Sequence, residues 1–138
     1  HRLARSCRAR TGATPPQILQ TELHPRCQQR ELVAFARESG VSTIMAHCPL
    51  AHGAPQLLRD PTLARLAAAR GGGVTPAMLC LRWHIDSRHL AIPKASSRAR
   101  LEENLRAAAM APLSDAERAA IDALDVDERV SFDPRLIA

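Results

Sequence analysis

Hydrophobic positions along the chain fall into short runs that polar, proline-marked or glycine-marked breaks separate. Three runs are too short for helices and have extended character, at residues 18–23, 41–46 and 90–92. The first ends at a His-Pro pair, and the third ends at a proline. The second is rich in β-branched and apolar residues, which is typical of a buried strand. The sequence therefore predicts three strands.

A helix is predicted directly after the first strand, over residues 28–40. Gly40 closes it, as glycine commonly does at a helix C-terminus. Its apolar side chains fall on one helical face: Leu32, Val33, Phe35 and Ala36.

Further helices are predicted from their N-terminal caps. The start signals are, in order, Asp60 with Pro61, Thr75 with Pro76, Ser96 or Ser97, and Ser114 in a capping box with Glu117. The first of these helices ends at the glycines 71–73, and the last runs to about residue 124. Pro49 opens a loop that continues through Gly53, and residues 125–138 are predicted to be an irregular tail.

The alternation of strands and helices, without hairpin signals, favours parallel βαβ units. No G-x-G-x-x-G follows a strand, which argues against a dinucleotide-binding Rossmann domain. Three strands cannot close a barrel. Residues 1–12 have the character of a helix entered midway and ending in Gly12. We therefore expect part of a β/α barrel, from a truncated or processed product.

The composition supports a globular domain and argues against nucleic-acid and membrane partners. Hydrophobic residues make up 46% of the 138 residues, and tyrosine is absent. The basic residues are eighteen arginines and the single Lys94, dispersed among acidic residues, which favours a solvated surface over a nucleic-acid groove. The four cysteines form no CxxC pair, so buried thiols in a reducing compartment are expected: Cys7, Cys27, Cys48 and Cys80. Without a signal peptide or a membrane-length apolar run, we expect a cytoplasmic protein with no membrane partner.

The segment IPKASSRARLEEN, at residues 92–104, has features of a phosphate site. A lysine stands at the C-terminal tip of the predicted third strand, where β/α barrels place their active sites. Serines then precede a helix N-terminus, whose free amide groups suit an anion. Lys94 and Arg100 add charge-assisted hydrogen bonds. The residues alone leave open an ordinary helix cap with solvated cations.

Six motifs in order resemble the bacterial aldo-keto reductases, especially those similar to 2,5-diketo-D-gluconate reductase. The resemblance covers about residues 14–134. The motifs are ELHP at residues 22–25, QQRELVAF at 28–35, LLRDP at 57–61, TPAMLCLRW at 75–83, IPK with R and EN at 92–94, 100 and 103–104, and LSDAERAAIDALD at 113–125.

The resemblance implies an α/β fold: the C-terminal portion of a (β/α)8 TIM barrel, with about three βα units, a C-terminal helix and a tail. Residues 1–138 would form a partial aldo-keto reductase domain whose N-terminal half is absent. The implied activity is NADPH-dependent reduction of aldehydes or ketones, with a small carbonyl compound as substrate. Open barrel edges also predict self-association.

The family's NADP(H) contacts carry over to matching positions. Lys94 and Arg100 would bind the adenosine 2′-phosphate, Glu103 and Asn104 the adenine, and Gln20 the nicotinamide carboxamide. Ala95 replaces the family's serine after the lysine, so either Ser96 supplies the hydroxyl or one phosphate contact is lost.

The family's Y/W-S-P-L-G segment is replaced here by HCPLA at residues 47–51. His47, Cys48 and Leu50 would line the nicotinamide end of the site. An imidazole stacks over less area than the family's aromatic ring, so two interpretations of His47 stay open: a stacking partner, or a neutral histidine in the wall.

The family's catalytic Asp, Tyr, Lys and His come from the first half of the barrel. This chain contains no tyrosine, and its one lysine belongs to the IPK motif. His24 belongs to ELHP and does not match the catalytic histidine. No residue is therefore assigned to catalysis, and the isolated chain is expected to be inactive.

Three alternatives remain. The chain could be a degenerate, non-catalytic module that binds a nucleotide or a protein. His47, Cys48 and His52, with His24 in reach, could cluster around a metal, although no structural zinc spacing is present. Nucleic-acid binding by the arginines lacks an aromatic platform.

Overall fold

A three-stranded parallel sheet lies at the centre of the computed structural model, which describes residues 16–133 and Leu136. The strands are β1 (Ile18–Glu22), β2 (Thr43–His47) and β3 (His89–Ala91), in the spatial order β1-β2-β3. The three predicted strands are confirmed with ends shifted by one or two residues. The helix expected at residues 1–12 lies outside the described residues.

Each strand is followed by one or more helices. They are α1 (Arg30–Glu38), α2 (Pro55–Leu58), α3 (Pro61–Arg70), α4 (Pro76–Asp86), α5 (Arg98–Ala109) and α6 (Asp115–Asp122). The sequence did not predict α2, a single turn that begins at a proline and buries Leu57. The predicted loop after Pro49 contains a 3-10 turn at Ala51–Gly53.

The side chains that the sequence predicts as N-terminal caps do cap helices in the structure. Asp60 accepts a hydrogen bond from the Thr62 amide at 2.8 Å, and Ser114 completes its capping box with Glu117. Of the two serines proposed to cap α5, Ser97 is the cap.

One face of the sheet packs against α1. Leu19, Ile44 and Ala46 of the strands contact Val33 and Ala36 of the helix. The prediction that Leu32 shares this face is wrong: its side chain is 38% exposed. Leu32 lies on the side of the buried stripe away from Val33, about 40° of helical rotation from Ala36, so it is at the edge of the buried face rather than within it.

A second core joins α3, α4 and α6. Leu63, Leu79 and Ile121 are fully buried there, and Trp83 is 3% exposed. The Trp83 indole N–H donates to Asp122 at 2.7 Å, which satisfies the one polar atom of this large side chain.

The other face of the sheet is open, and the described residues pair nothing with the outer edges of β1 and β3. Its apolar side chains are half-exposed: Ile18 at 52%, Leu90 at 50% and Ile92 at 42%. In the described part of the chain, none of the helices has the length and apolar character needed to cross a bilayer.

The segment after α6 has no helix or strand over residues 125–133, as predicted, yet it is anchored to the C-terminal end of β1. The amides of Val126 and Glu128 both donate to the Arg26 carbonyl. The amides of Val130 and Ser131 donate to the Glu22 carboxylate at 2.6 and 3.1 Å. The tail therefore packs across the ELHP segment.

Candidate functional site

The C-terminal ends of β2 and β3 open onto a cavity of about 730 Å³. The loop after β2 forms one wall, and the segment leading into α5 forms the other. Of the nine residues predicted to bind the cofactor, six line this cavity: Cys48, Leu50, Lys94, Arg100, Glu103 and Asn104.

The remaining three predicted residues, Gln20, His47 and Ser96, do not line it. Gln20 and His47 lie on the open face of the sheet, in register with Met45 and Glu22 of the neighbouring strands. Ser96 is exposed in the segment ahead of the α5 cap.

Two cations in the cavity wall have no anionic partner. Among the described residues, neither Lys94 nor Arg100 lies within 4.0 Å of a carboxylate. Arg98, one turn earlier than Glu102, forms an ion pair with it at 2.7 Å and is 92% exposed. The arrangement leaves Lys94 and Arg100 available for an anion at the start of α5.

The helix start adds polar groups to this wall. Ser97 accepts a long hydrogen bond, 3.4 Å, from the Arg100 amide. The partial positive charge of a helix N-terminus lies beside the two side-chain cations, and both attract the same kind of ligand.

Thr75 positions Glu103, a role for which the sequence carries no signal. The Thr75 hydroxyl donates to the Glu103 carboxylate at 2.6 Å and accepts from the Met78 amide at 3.2 Å. One side chain thus caps α4 and fixes an acid in the cavity wall. The TP motif marks the cap but gives no sign of a contact made across 28 residues.

The loop that carries Cys48 and Leu50 has an unusual backbone. Cys48, Ala51 and His52 have φ values of 49°, 50° and 56°, in the left-handed region that disfavours residues with a Cβ. Backbone hydrogen bonds hold the turn, including Ala51 N–H to Cys48 O at 2.8 Å. Strained backbone of this kind concentrates at functional sites.

The Cys48 thiol lies between two imidazoles. Its sulfur is 3.2 Å from His47 Nδ1 and 3.1 Å from His52 Nε2. Burial raises the pKa of the Cys48 thiol, so the protonated thiol is available as a donor to an imidazole. Over residues 16–133, no group of three metal-ligating side chains is placed to share an ion.

A buried acid, Glu22, ends β1 and was given no role on the basis of the sequence. Glu22 and His24 are 1% and 0% exposed, and His24 Nε2 lies 3.1 Å from Glu22 Oε1. Burial raises the pKa of Glu22, but hydrogen bonds from Ser131, Val130 and His24 outweigh it and hold the pKa below its usual value. Burial lowers the pKa of His24 despite the adjacent carboxylate.

Comparison with known proteins decides the family. The sequence model of the Aldo/keto reductase family matches residues 1–126. The chain belongs to the aldo/keto reductase family.

Individual relatives agree in sequence and structure. Aldo/keto reductase slr0942 from Synechocystis sp. is 38% identical over 121 residues, which is 80% of this chain and 36% of that protein. Methylglyoxal reductase DkgB from Escherichia coli O157:H7 is 35% identical, over 88% of this chain and 43% of that protein. The crystal structure of a Gox0644 mutant in complex with NADPH superimposes with a TM-score of 0.84 at 31% identity.

That superposition covers 99% of this chain and 48% of the Gox0644 chain. The chain thus spans about half the length of the aldo/keto reductases it matches, and its parallel sheet and helices correspond to part of a (β/α)8 barrel.

Proposed function

We propose that this chain forms the cofactor-binding part of an aldo/keto reductase that reduces aldehydes or ketones with NADPH. The observation that supports it best is a pair of cations, Lys94 and Arg100, in the cavity beside the start of α5, which form no ion pair with any carboxylate of the described residues. NADPH, when bound, supplies a hydride to the carbonyl carbon.

The residues present fit that cofactor. Lys94 and Arg100 would hold the adenosine 2′-phosphate, with Ser96 supplying a hydroxyl where the family's serine is replaced by Ala95. Glu103 and Asn104 would contact the adenine, and the Thr75 hydrogen bond fixes the Glu103 carboxylate for that contact.

The nicotinamide end of the proposed site uses other residues. Cys48 and Leu50 belong to the cavity wall, whereas Gln20 and His47 lie on the adjoining open face of the sheet. Gln20 would hold the carboxamide, and His47 would offer its ring to the nicotinamide.

The chain contains no tyrosine, so it lacks the side chain that would donate a proton to the carbonyl oxygen in this family. We therefore propose that the 138 residues bind NADP(H) but do not turn over carbonyl compounds alone. The half-exposed apolar face of the sheet supports the same view, because Ile18, Leu90 and Ile92 have the burial expected of a barrel interior still open on one side.

A binding test separates this proposal from an ordinary helix cap. Calorimetric titration of the chain with 2′-phospho-AMP and with AMP should show tighter binding of the 2′-phosphorylated nucleotide. Losing one charge-assisted hydrogen bond corresponds to about a 10- to 150-fold change, and the absence of the serine at Ala95 favours the lower end.

Lys94→Ala and Arg100→Ala should each abolish the preference, and added salt should weaken it. Arg65→Ala, which removes an exposed arginine from α3, serves as the matched control and should retain it. Equal affinities for the two nucleotides, or mutants that match the parent chain, would remove the site.

An NADPH-oxidation assay with excess aldehyde should stay at background, and turnover would contradict the assignment of no catalytic residue.

A further inference from the structure

A second cavity, also about 730 Å³, lies between α1 and α4. Ile44 contributes to its floor, and Ser42 and His89 place it near the N-terminal ends of β2 and β3. It shares no lining residue with the cavity at the C-terminal ends of the strands. The two sites therefore occupy opposite ends of the sheet.

Three arginines from separate parts of the fold line this second cavity. Arg37 of α1 donates to the Ser87 carbonyl at 2.7 Å, and Arg118 of α6 donates to the Ser87 hydroxyl at 3.0 Å. Arg88 follows in the chain and is exposed. Within the described residues, none of the three forms an ion pair with a carboxylate.

The acids of the cavity are already engaged. Asp86 accepts from Arg82 at 2.5 Å and from the Leu113 amide at 2.8 Å. Asp122 accepts from the Trp83 indole. A fourth lining arginine, Arg30, pairs with Asp125 at 3.3 Å. Asp86 also attracts Arg118 electrostatically, and Asp122 keeps its negative charge, so the excess positive charge of the wall comes from four lining arginines against two lining acids.

The positive charge of these arginines affects His89. Burial lowers the pKa of His89 to about 4, with further lowering by Arg37 and Arg118. Its Nδ1 is buried without a hydrogen-bond partner in the described structure. The cavity wall thus combines a neutral imidazole with guanidinium groups that repel further positive charge.

We propose that this cavity binds the phosphate group of a small molecule, at a site separate from the cofactor. Guanidinium groups form paired, charge-assisted hydrogen bonds with phosphate oxygens, and Arg37, Arg88 and Arg118 line the cavity from three separate segments. The Ser87 hydroxyl accepts from Arg118, so its own proton remains for a phosphate oxygen.

Trp83 provides a local reporter for the test. It is the only tryptophan in the chain and contributes to the wall of this cavity. Titration of the 138-residue chain with inorganic phosphate, at an ionic strength held constant with sodium chloride, should change tryptophan fluorescence saturably. A parallel chloride titration should not.

Variants locate the binding. Arg37→Gln and Arg118→Gln should each weaken phosphate binding by about tenfold or more, and Arg37→Lys should restore part of it. Arg88→Gln should also weaken phosphate binding, and it is the variant least able to disturb the fold because the Arg88 side chain is exposed. Circular dichroism checks that each variant is folded.

Two control variants separate this site from others. Arg65→Gln, on exposed α3 surface, and Lys94→Gln, in the cofactor cavity, should leave the fluorescence response unchanged. A response abolished by Lys94→Gln would assign the phosphate to the cofactor cavity and overturn the proposal. So would a response that survives in Arg37→Gln, Arg88→Gln and Arg118→Gln, or no saturable response at all.

Discussion

At the scale of single residues, two histidines make the fold sensitive to acid. The rings of Trp83, His84 and His89 pack edge to face with centroids 4.8–5.7 Å apart. Burial lowers the pKa of His84 to about 3 and that of His89 to about 4. Both side chains are therefore neutral in the folded protein at pH 7.

We expect the melting temperature to fall between pH 7 and pH 5, by on the order of 5 °C. An unfolded histidine takes up a proton near pH 6.5, whereas the folded one does so only near pH 3 or 4. The stabilisation that comes from keeping these two histidines neutral is thus fully present above pH 6.5. It is lost progressively as the pH falls from 6.5 toward the folded pKa values of about 3 and about 4. Thermal melts followed by circular dichroism measure the effect.

His89→Phe keeps a ring in place and removes one titrating group, so its melting temperature should fall less between the two pH values. The melting temperature of His52→Ala, a change at an exposed position, should fall as much as that of the parent chain. Equal melting temperatures of the parent chain at pH 7 and pH 5 would contradict the assignment.

Residue roles were the hardest to predict from sequence. The arginines were expected to be solvated, yet Arg70 binds both carboxylate oxygens of Glu117, each at 2.6 Å, and Arg82 binds Asp86. Arg70 and Glu117 are 47 positions apart, so only the packing of α3 against α6 brings them together. Cys27 and Cys80 are buried free thiols as predicted, Cys48 is partly exposed, and Cys7 lies outside the described residues.

At the scale of elements, the choice of cap for α5 can be tested with adjacent serines. Ser97→Ala should reduce the free energy of unfolding by roughly 0.5–2 kcal/mol, because it removes the side-chain acceptor for the Arg100 amide. Ser96→Ala, at an exposed position beside the cap, should change it by less than about 0.5 kcal/mol. Urea titrations without nucleotide compare the two. A larger loss in Ser96→Ala would show that the cap is misassigned.

Elements were predicted well because their signals are local. A proline after a capping residue, or a β-branched run bounded by turn residues, identifies a start or an end without tertiary context. The single-turn helix α2 was missed because four residues carry no periodicity. The anchoring of the tail on β1 was missed because its contacts join positions about 100 residues apart, including Val130 with Glu22 across 108.

At the scale of the whole molecule, the open sheet predicts self-association of the isolated chain. The outer edges of β1 and β3 are unpaired within the described residues, and Leu90 is half-exposed beside one of them. Unpaired edges and exposed apolar surface both favour contact between copies. Sedimentation velocity at increasing concentration should show species larger than the monomer.

Leu90→Lys should shift that distribution toward the monomer, because it places a charge on the open face. Ala64→Lys, on the exposed side of α3, is the matched control and should leave the distribution unchanged. A purely monomeric profile of the parent chain, with a cooperative thermal transition, would argue against association through the open face.

The tail's hold on Glu22 limits how this protein can be recombined with its relatives. The acid lies in β1, and two of the amides that satisfy it lie 108 and 109 positions later. A chimaera that takes β1 from one parent and residues 126–133 from another separates a buried carboxylate from its donors. Such crossovers should be tolerated only between parents that share both segments, so the two ends of this fold are inherited as one unit although nearly the whole described sequence lies between them.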